Sequence, residues 1–141
     1  MLVRLMYASR AAESVTQEEL VAILKKSKLN NPRHGVTGVL CFSAGIFLQV
    51  IEGGRGAVSA LYNHIAKDPR HHDVVLLSYE EIGERSFSGW SMGQVNMSRL
   101  NPALLLKYSE TAELDPYAVS GKVSMALFEE LVATASVMGQ C

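Results

Sequence analysis

The sequence is poor in cysteine, in excess charge of either sign and in long apolar runs. Its 141 residues contain two cysteines, 13 Lys+Arg and 14 Asp+Glu, which leave a formal net charge of −1. Cys41, in a strand pattern, and Cys141, the last residue, provide neither a disulfide framework nor the ligand spacing of a metal site. The charge balance excludes the basic footprint of a nucleic-acid-binding protein. No apolar run approaches the ~20 residues that a membrane-spanning helix requires.

These absences favour one globular domain of ordinary size in a reducing compartment. The chain is 48% hydrophobic and 19% charged, so it can bury a substantial core. The N-terminal residues enter a strand pattern at once and lack the features of a secretory signal. We therefore expect a cytoplasmic protein that has no membrane segment.

Alternation of apolar side chains predicts five strands, and helical spacing predicts four helices. The first helix begins at a capping-box pattern near Thr16 and runs to about Asn30, before Pro32. The order β-α-β-β-α-β-β is typical of an α+β, ferredoxin-like fold with one added strand. We expect a five-stranded mixed sheet, with two helices on one face and two C-terminal helices packed on the other. The strands are predicted over 2–9, 36–42, 46–52, 74–80 and 91–95, and the later helices around 58–65, 104–108 and 122–137.

Gln49 is a side-chain amide within the most apolar strand of the chain. Both faces of that strand are apolar, so Gln49 is enclosed whichever way it points. A buried amide without partners costs roughly 1–3 kcal/mol, which predicts polar groups beside it. In ferredoxin-like order the first strand neighbours the third, which brings Tyr7 within reach of Gln49. Asn31 follows Ser27 and Ile23 at four-residue steps, so one side of the first helix can present all three.

Tyr7, Asn31 and Gln49 each have an ordinary structural explanation, such as a backbone hydrogen bond or a helix cap. Together in an apolar slot they suit a planar ligand with amide-like edges, held between side chains such as Ile23 and Ile65. Two other classes of function stay open, a small ferredoxin-like enzyme and a ligand-free interaction module. An enzymatic function would need a general base, and Tyr7, Asn31 and Gln49 include no good one near neutral pH. A ligand-free interaction module would leave the positions of Gln49 and Asn31 unexplained.

Five stretches, in order along the chain, resemble BLUF domains, the blue-light sensors that use flavin. They are residues 4–9 (RLMYAS), 30–31 with 35–40 (NN, GVTGVL), 47–53 (FLQVIEG), 68–72 (DPRHH) and 87 with 90–93 (F, WSMG). The resemblance implies a flavin-binding domain over residues 1–97. It also implies a helical extension over 98–141, packed on the sheet, like that of short stand-alone BLUF proteins. Gly54 departs from the family pattern, in which many members have proline.

The resemblance implies roles for the residues that match the family pattern. Tyr7 would donate an electron and then a proton to the light-excited flavin, and Gln49 would bridge Tyr7 and the N5/C4=O edge of the flavin. Rearranged hydrogen bonds of Gln49 would then signal through Trp90 and Met92, on the fifth strand, to a partner protein. The other flavin contacts would be Ile23, Ser27, Asn30, Asn31, Phe47, Ile65, Arg70 and His71.

The same resemblance implies a photoreceptor rather than an enzyme. It predicts one non-covalently bound flavin, taken to be FAD, with FMN or riboflavin as alternatives. It also predicts a homo-oligomer and a downstream signalling protein that the sequence does not identify. We expect no direct contact with nucleic acid or with a membrane.

Overall fold

The predicted α+β, ferredoxin-like fold is confirmed by the computed structural model, which describes residues 1–13, 15–97, 100–134 and 137–138. One sheet has the strand order β4-β1-β3-β2-β5-β6, and only the β2–β5 pair is parallel. The strands are β1 (Leu2–Ala11), β2 (Thr37–Ser43), β3 (Ile46–Gly54), β4 (His71–Ile82), β5 (Gly93–Val95) and β6 (Val137–Met138). The helices are α1 (Gln17–Asn30), α2 (Arg55–Ala66), α3 (Pro102–Tyr108) and α4 (Gly121–Ala133).

Helix caps and turn residues set the ends of α1 and of the hairpin formed by β2 and β3. Thr16 caps α1 by accepting the Glu19 N–H at 3.2 Å, as its capping pattern predicts. A 3-10 turn follows over Asn31–His34. Between β2 and β3, Ala44 and Gly45 have φ values of 51° and 77°, which is the left-handed geometry of a tight hairpin turn.

The sheet separates two apolar cores. One core lies between the sheet and helices α1 and α2, and the other lies between the sheet and helices α3 and α4. The expectation that the last two helices cover the second face is therefore confirmed. The first core is built mainly from Val3, Leu5, Tyr7, Leu20, Leu24, Phe47, Ile51 and Val58. The second includes Met6, Leu48, Val50, Phe87, Trp90, Leu127, Phe128 and Leu131.

The sheet has six strands rather than five. The helix predicted to reach Val137 ends at Ala133, so that part of the prediction is wrong. Val137 and Met138 instead pair with Val95 and Gln94 of β5. A strand of two residues has no measurable periodicity, and its apolar residues extended the helical pattern of α4. Cys141 lies outside the described residues.

The fifth strand also begins later than predicted. β5 starts at Gly93, so Trp90 and Met92 precede the strand instead of lying in it. Over the described ranges, no helix has the length and apolar character needed to cross a membrane.

Candidate functional site

A pocket opens between α1, α2 and the sheet face that they cover. All ten side chains predicted to bind the cofactor line it: Tyr7, Ile23, Ser27, Asn30, Asn31, Phe47, Gln49, Ile65, Arg70 and His71. Met92 lines it as well. The sequence reasoning missed Lys26, Leu40, Leu61, His64 and Asp68. Helical spacing could have found two of them, since Lys26 lies three residues after Ile23 and Leu61 four before Ile65.

Tyr7 and Gln49 form a hydrogen-bonded pair at the floor of the pocket. They are directly opposed in the antiparallel register of β1 and β3, and the Tyr7 hydroxyl donates to Gln49 Oε1. Gln49 Nε2 donates to Met92 Sδ at 3.2 Å. Tyr7 is 4% exposed and Gln49 is 6% exposed, so these partners take the place of water. The buried amide thus has the polar neighbours that its position in the strand predicts.

Burial controls the protonation of Tyr7. Desolvation raises the pKa of its phenol well above the usual value, and the nearby Tyr62 raises that pKa further. The ring of Tyr62 lies 5.8 Å from that of Tyr7, and the ring of His71 lies edge-on at 6.3 Å. Tyr7 therefore keeps its proton near neutral pH and serves as the donor to the Gln49 amide oxygen.

Asn31 connects α1 to the chain segment that precedes β5. It is 5% exposed, and its backbone N–H donates to the Ser27 carbonyl at the end of the helix. Its side-chain Nδ2 donates to the Ser91 backbone carbonyl at 2.7 Å, and its backbone carbonyl accepts the Val36 N–H at 2.9 Å. These bonds fix the amide against the wall of the pocket.

Basic side chains and one restrained carboxylate form the rim of the pocket. Arg70 Nε donates to both carboxylate oxygens of Asp68, at 3.0 and 2.9 Å. This hydrogen bonding from Arg70 lowers the pKa of Asp68 to about 2. His71 Nδ1 lies 2.8 Å from Ser9 Oγ, and its Nε2 contacts the Ile65 carbonyl, so both ring nitrogens are engaged.

Trp90 and Met92, the two residues predicted to relay a signal, lie on opposite faces of the sheet. Met92 contacts Gln49 in the pocket, whereas Trp90 packs in the core beneath α3 and α4 and is 8% exposed. Trp90 Nε1 is buried and has no hydrogen-bond partner within the described part of the chain. The Trp90 carbonyl accepts the Gly38 N–H of β2 at 2.9 Å.

The fold and the pocket together define an α+β domain that receives a ligand between two helices and a sheet, above a buried Tyr–Gln pair. The family model BLUF, described as sensors of blue-light using FAD, matches residues 2–93. The chain belongs to the BLUF family of flavin-binding blue-light sensors, as the sequence resemblance predicted.

Solved structures and curated proteins show the same relationship. The photo-activated state of BlsA is similar over 100% of this chain and 99% of that one, with TM-score 0.84 and 30% identity. The dark state of BlrB, a BLUF protein, covers 95% and 96%, with TM-score 0.80 and 32% identity. The photoactivated adenylate cyclase subunit alpha of Euglena gracilis is 37% identical over 86 residues, which are 61% of this chain and 8% of that protein. This chain therefore spans a small part of that cyclase subunit.

Proposed function

We propose that this chain is a blue-light photoreceptor that holds one flavin in the pocket between α1 and α2. The observation that carries the proposal is the series of hydrogen bonds from Tyr7 to Gln49 and from Gln49 to Met92. Oε1 and Nε2 of the Gln49 amide both take part in this series, and Gln49 lines the pocket. A ligand that competes for either atom changes the other contact as well.

The side chains of the pocket fit a flavin. Ile23 and Ile65, on the two flanking helices, suit the apolar faces of the ring, while the amides of Asn31 and Gln49 suit an edge that carries carbonyls and N–H groups. The basic side chains at the rim, Lys26, His64 and Arg70, suit a tail that bears phosphate. We take FAD as the cofactor, and FMN and riboflavin share the ring that these residues would bind.

In this proposal, Tyr7 and Gln49 are the photochemical pair. When bound, flavin supplies a strong oxidant upon absorbing blue light. Tyr7 is placed to release an electron and its phenolic proton, which its hydroxyl directs at Gln49 Oε1. Gln49 has donor and acceptor atoms, so rotation or tautomerisation of its amide exchanges what it presents to Tyr7 and Met92. Met92 and Trp90 precede β5, and the proposed signal passes through them to that strand.

No catalytic step is proposed for the residues of this chain. Arg70 holds the pKa of Asp68, the carboxyl at the rim, at about 2, which makes Asp68 a weak general base at neutral pH.

We propose that residues 1–97 form the flavin-binding unit and that residues 98–141 are an extension packed on it. Output would pass to a separate signalling protein from a cytoplasmic homo-oligomer. Exposed apolar side chains on β4, namely Val75, Leu76 and Tyr79, would be available for such contacts.

Absorption spectra before and after blue illumination test this function. The protein loaded with FAD should show flavin bands and a reversible red shift. Tyr7→Phe should bind flavin and lose the shift, while Tyr79→Phe, which alters a 40% exposed tyrosine, should keep it. A protein that stays colourless after incubation with FAD, FMN or riboflavin would contradict flavin binding. A normal red shift in Tyr7→Phe would remove Tyr7 from its proposed role.

A further inference from the structure

A buried ion pair lies on the sheet outside the pocket. Arg4 of β1 and Glu52 of β3 are register partners, and Arg4 Nε donates to Glu52 Oε2 at 2.8 Å. Glu52 is 0% exposed, which is rare for a carboxylate and requires that its charge be matched. Arg4 also donates to Glu80 of β4 and to the Ser86 hydroxyl, at 2.8 and 2.7 Å.

The Glu52 carboxylate binds the backbone of the connection between β4 and β5. Oε1 accepts the Phe87 N–H at 2.7 Å, and Oε2 accepts the Ser86 N–H at 3.0 Å. With Arg4, these donors give the carboxylate three hydrogen bonds, and charge-assisted bonds of this kind are stronger than neutral ones. Ser86 and Phe87 are therefore held to β1 and β3 by the side chains of Arg4 and Glu52.

The chain runs from this anchor to the pocket within a few residues. The Trp90 N–H donates to the Phe87 carbonyl at 3.2 Å, which closes a turn. The next two residues supply the Ser91 carbonyl that accepts from Asn31 and the Met92 sulfur that accepts from Gln49. The anchored N–H groups and the two pocket contacts thus belong to one short segment, residues 86–92.

The same anchor also touches the C-terminal helices. Phe87 is 0% exposed, and its ring meets that of Phe128 of α4 edge-on, with 6.2 Å between centroids. The position that Glu52 gives to Phe87 is therefore also the position at which α4 packs. Within this segment, Phe87 contacts α4 and Met92 contacts the Gln49 amide.

We propose that Glu52, held by Arg4, is a positioning residue for the photocycle, because it fixes the position of residues 86–92 and restricts their movement. This inference rests on the proposed function, because Gln49 and Asn31 donate hydrogen bonds to this segment. With Phe87 pinned, Met92 and Ser91 can move relative to the pocket only by deforming the few residues between. That deformation contributes to the barrier between the dark and the light states in both directions. Removing the hydrogen bonds that hold Ser86 and Phe87 to Glu52 should therefore lower the barrier between the dark and the light states.

Glu52→Gln tests the inference, with Glu80→Gln as the matched control. Both substitutions remove one carboxylate from Arg4, but Glu80 binds neither Ser86 N nor Phe87 N. With bound FAD, Glu52→Gln should keep the red shift and return to the dark state at least threefold faster than wild type. Glu80→Gln should recover at the wild-type rate. In the flavin-free protein, hydrogen exchange of peptides covering 85–92 should accelerate in Glu52→Gln and stay unchanged in Glu80→Gln.

A milder variant covers the case in which Glu52→Gln fails to fold. Ser86→Ala removes the hydrogen bond that joins residues 86–92 directly to Arg4 and leaves the Glu52 carboxylate in place, so recovery should accelerate by a smaller factor. Ser88→Ala, at an exposed serine two residues further on, is its control. Recovery that is unchanged or slower in both Glu52→Gln and Ser86→Ala would overturn the inference, as would unchanged exchange over 85–92. Absence of flavin or of a red shift in the wild type would instead contradict the proposed function.

Discussion

The hydrogen bond between Tyr7 and Gln49 predicts how stability changes when either side chain loses its polar atoms. In Tyr7→Phe, the Gln49 amide oxygen loses its donor; in Gln49→Leu, the Tyr7 hydroxyl loses its acceptor. Tyr7 and Gln49 are 4% and 6% exposed, so water cannot easily replace the missing partner. A buried polar group left without a partner costs roughly 1–3 kcal/mol, and each single variant should lose about that amount.

The double variant should lose less than the two single variants together. Tyr7→Phe with Gln49→Leu leaves neither a hydroxyl without an acceptor nor an amide without a donor, and replacing both partners by apolar groups is nearly neutral. Since each single variant loses roughly 1–3 kcal/mol and the double variant close to none, the coupling free energy between the two positions should be at least about 2 kcal/mol. For a domain of this size, each kcal/mol corresponds to roughly 4 °C in Tm.

Urea unfolding of the flavin-free protein, followed by circular dichroism, measures this coupling. Tyr79→Phe combined with Gln49→Leu is the control, because Tyr79 pairs with Leu5 rather than with Gln49 and is 40% exposed. That control pair should be additive to within about 0.5 kcal/mol. If Tyr7→Phe and Gln49→Leu are equally additive, the two side chains do not share the hydrogen bond on which the mechanism depends.

Two further predictions concern the rim of the pocket and the packing of the tail. The pKa of Asp68 is lowered to about 2 in the folded state, so its ionised form stabilises the fold above the unfolded value of about 4 and this contribution disappears as the pH falls towards 2. Urea midpoints of wild type and Asp68→Asn should differ at about pH 6 and converge near pH 2, and a constant difference would contradict the Arg70 contact. A Cβ at Gly121 would lie 2.3 Å from the Leu77 carbonyl oxygen, so Gly121→Ala should destabilise by about 1–3 kcal/mol in thermal unfolding. A Cβ at Gly56 would meet nothing within 4 Å, so Gly56→Ala should change stability by less than about 0.5 kcal/mol. Equal losses at the two sites would show that α4 can shift away from Leu77 to accommodate the added Cβ at Gly121.

The contact between Tyr7 and Gln49 could be predicted from the sequence because two strong constraints coincide. Alternation along a strand fixes the face of each side chain, and ferredoxin-like order makes the first and third strands neighbours. The hairpin between β2 and β3, which Ala44 and Gly45 close with positive φ, fixes the register of those two strands, whereas the exact pairing of Tyr7 with Gln49 is given by the register of β1 and β3 in the structure. Helical spacing likewise placed Ile23, Ser27 and Asn31 on one side of α1.

Other features depend on contacts that no local pattern specifies. Arg4 and Glu52 are 48 positions apart, and Glu52 is the only charged residue of β3, so no local pattern identifies its partner and their pairing follows only from the register of β1 and β3. β6 is too short to produce a period, and its position depends on β5. The burial of Trp90 under α3 and α4 requires knowing where those helices pack.

The pairing of the sheet indicates where a change at Gln49 can leave the domain. β1 and β3 are paired over nine register positions, whereas β2 and β5 share two, at Val39–Gly93 and Leu40–Gln94. Moving the central strands would break many hydrogen bonds, while moving β5 would break few. Met92 contacts Gln49 directly before β5, and Trp90, two residues earlier, packs in the core beneath α3 and α4. The segment from Trp90 to Gly93 is therefore the least costly route from the pocket to the C-terminal helices, and we expect the signal to follow it.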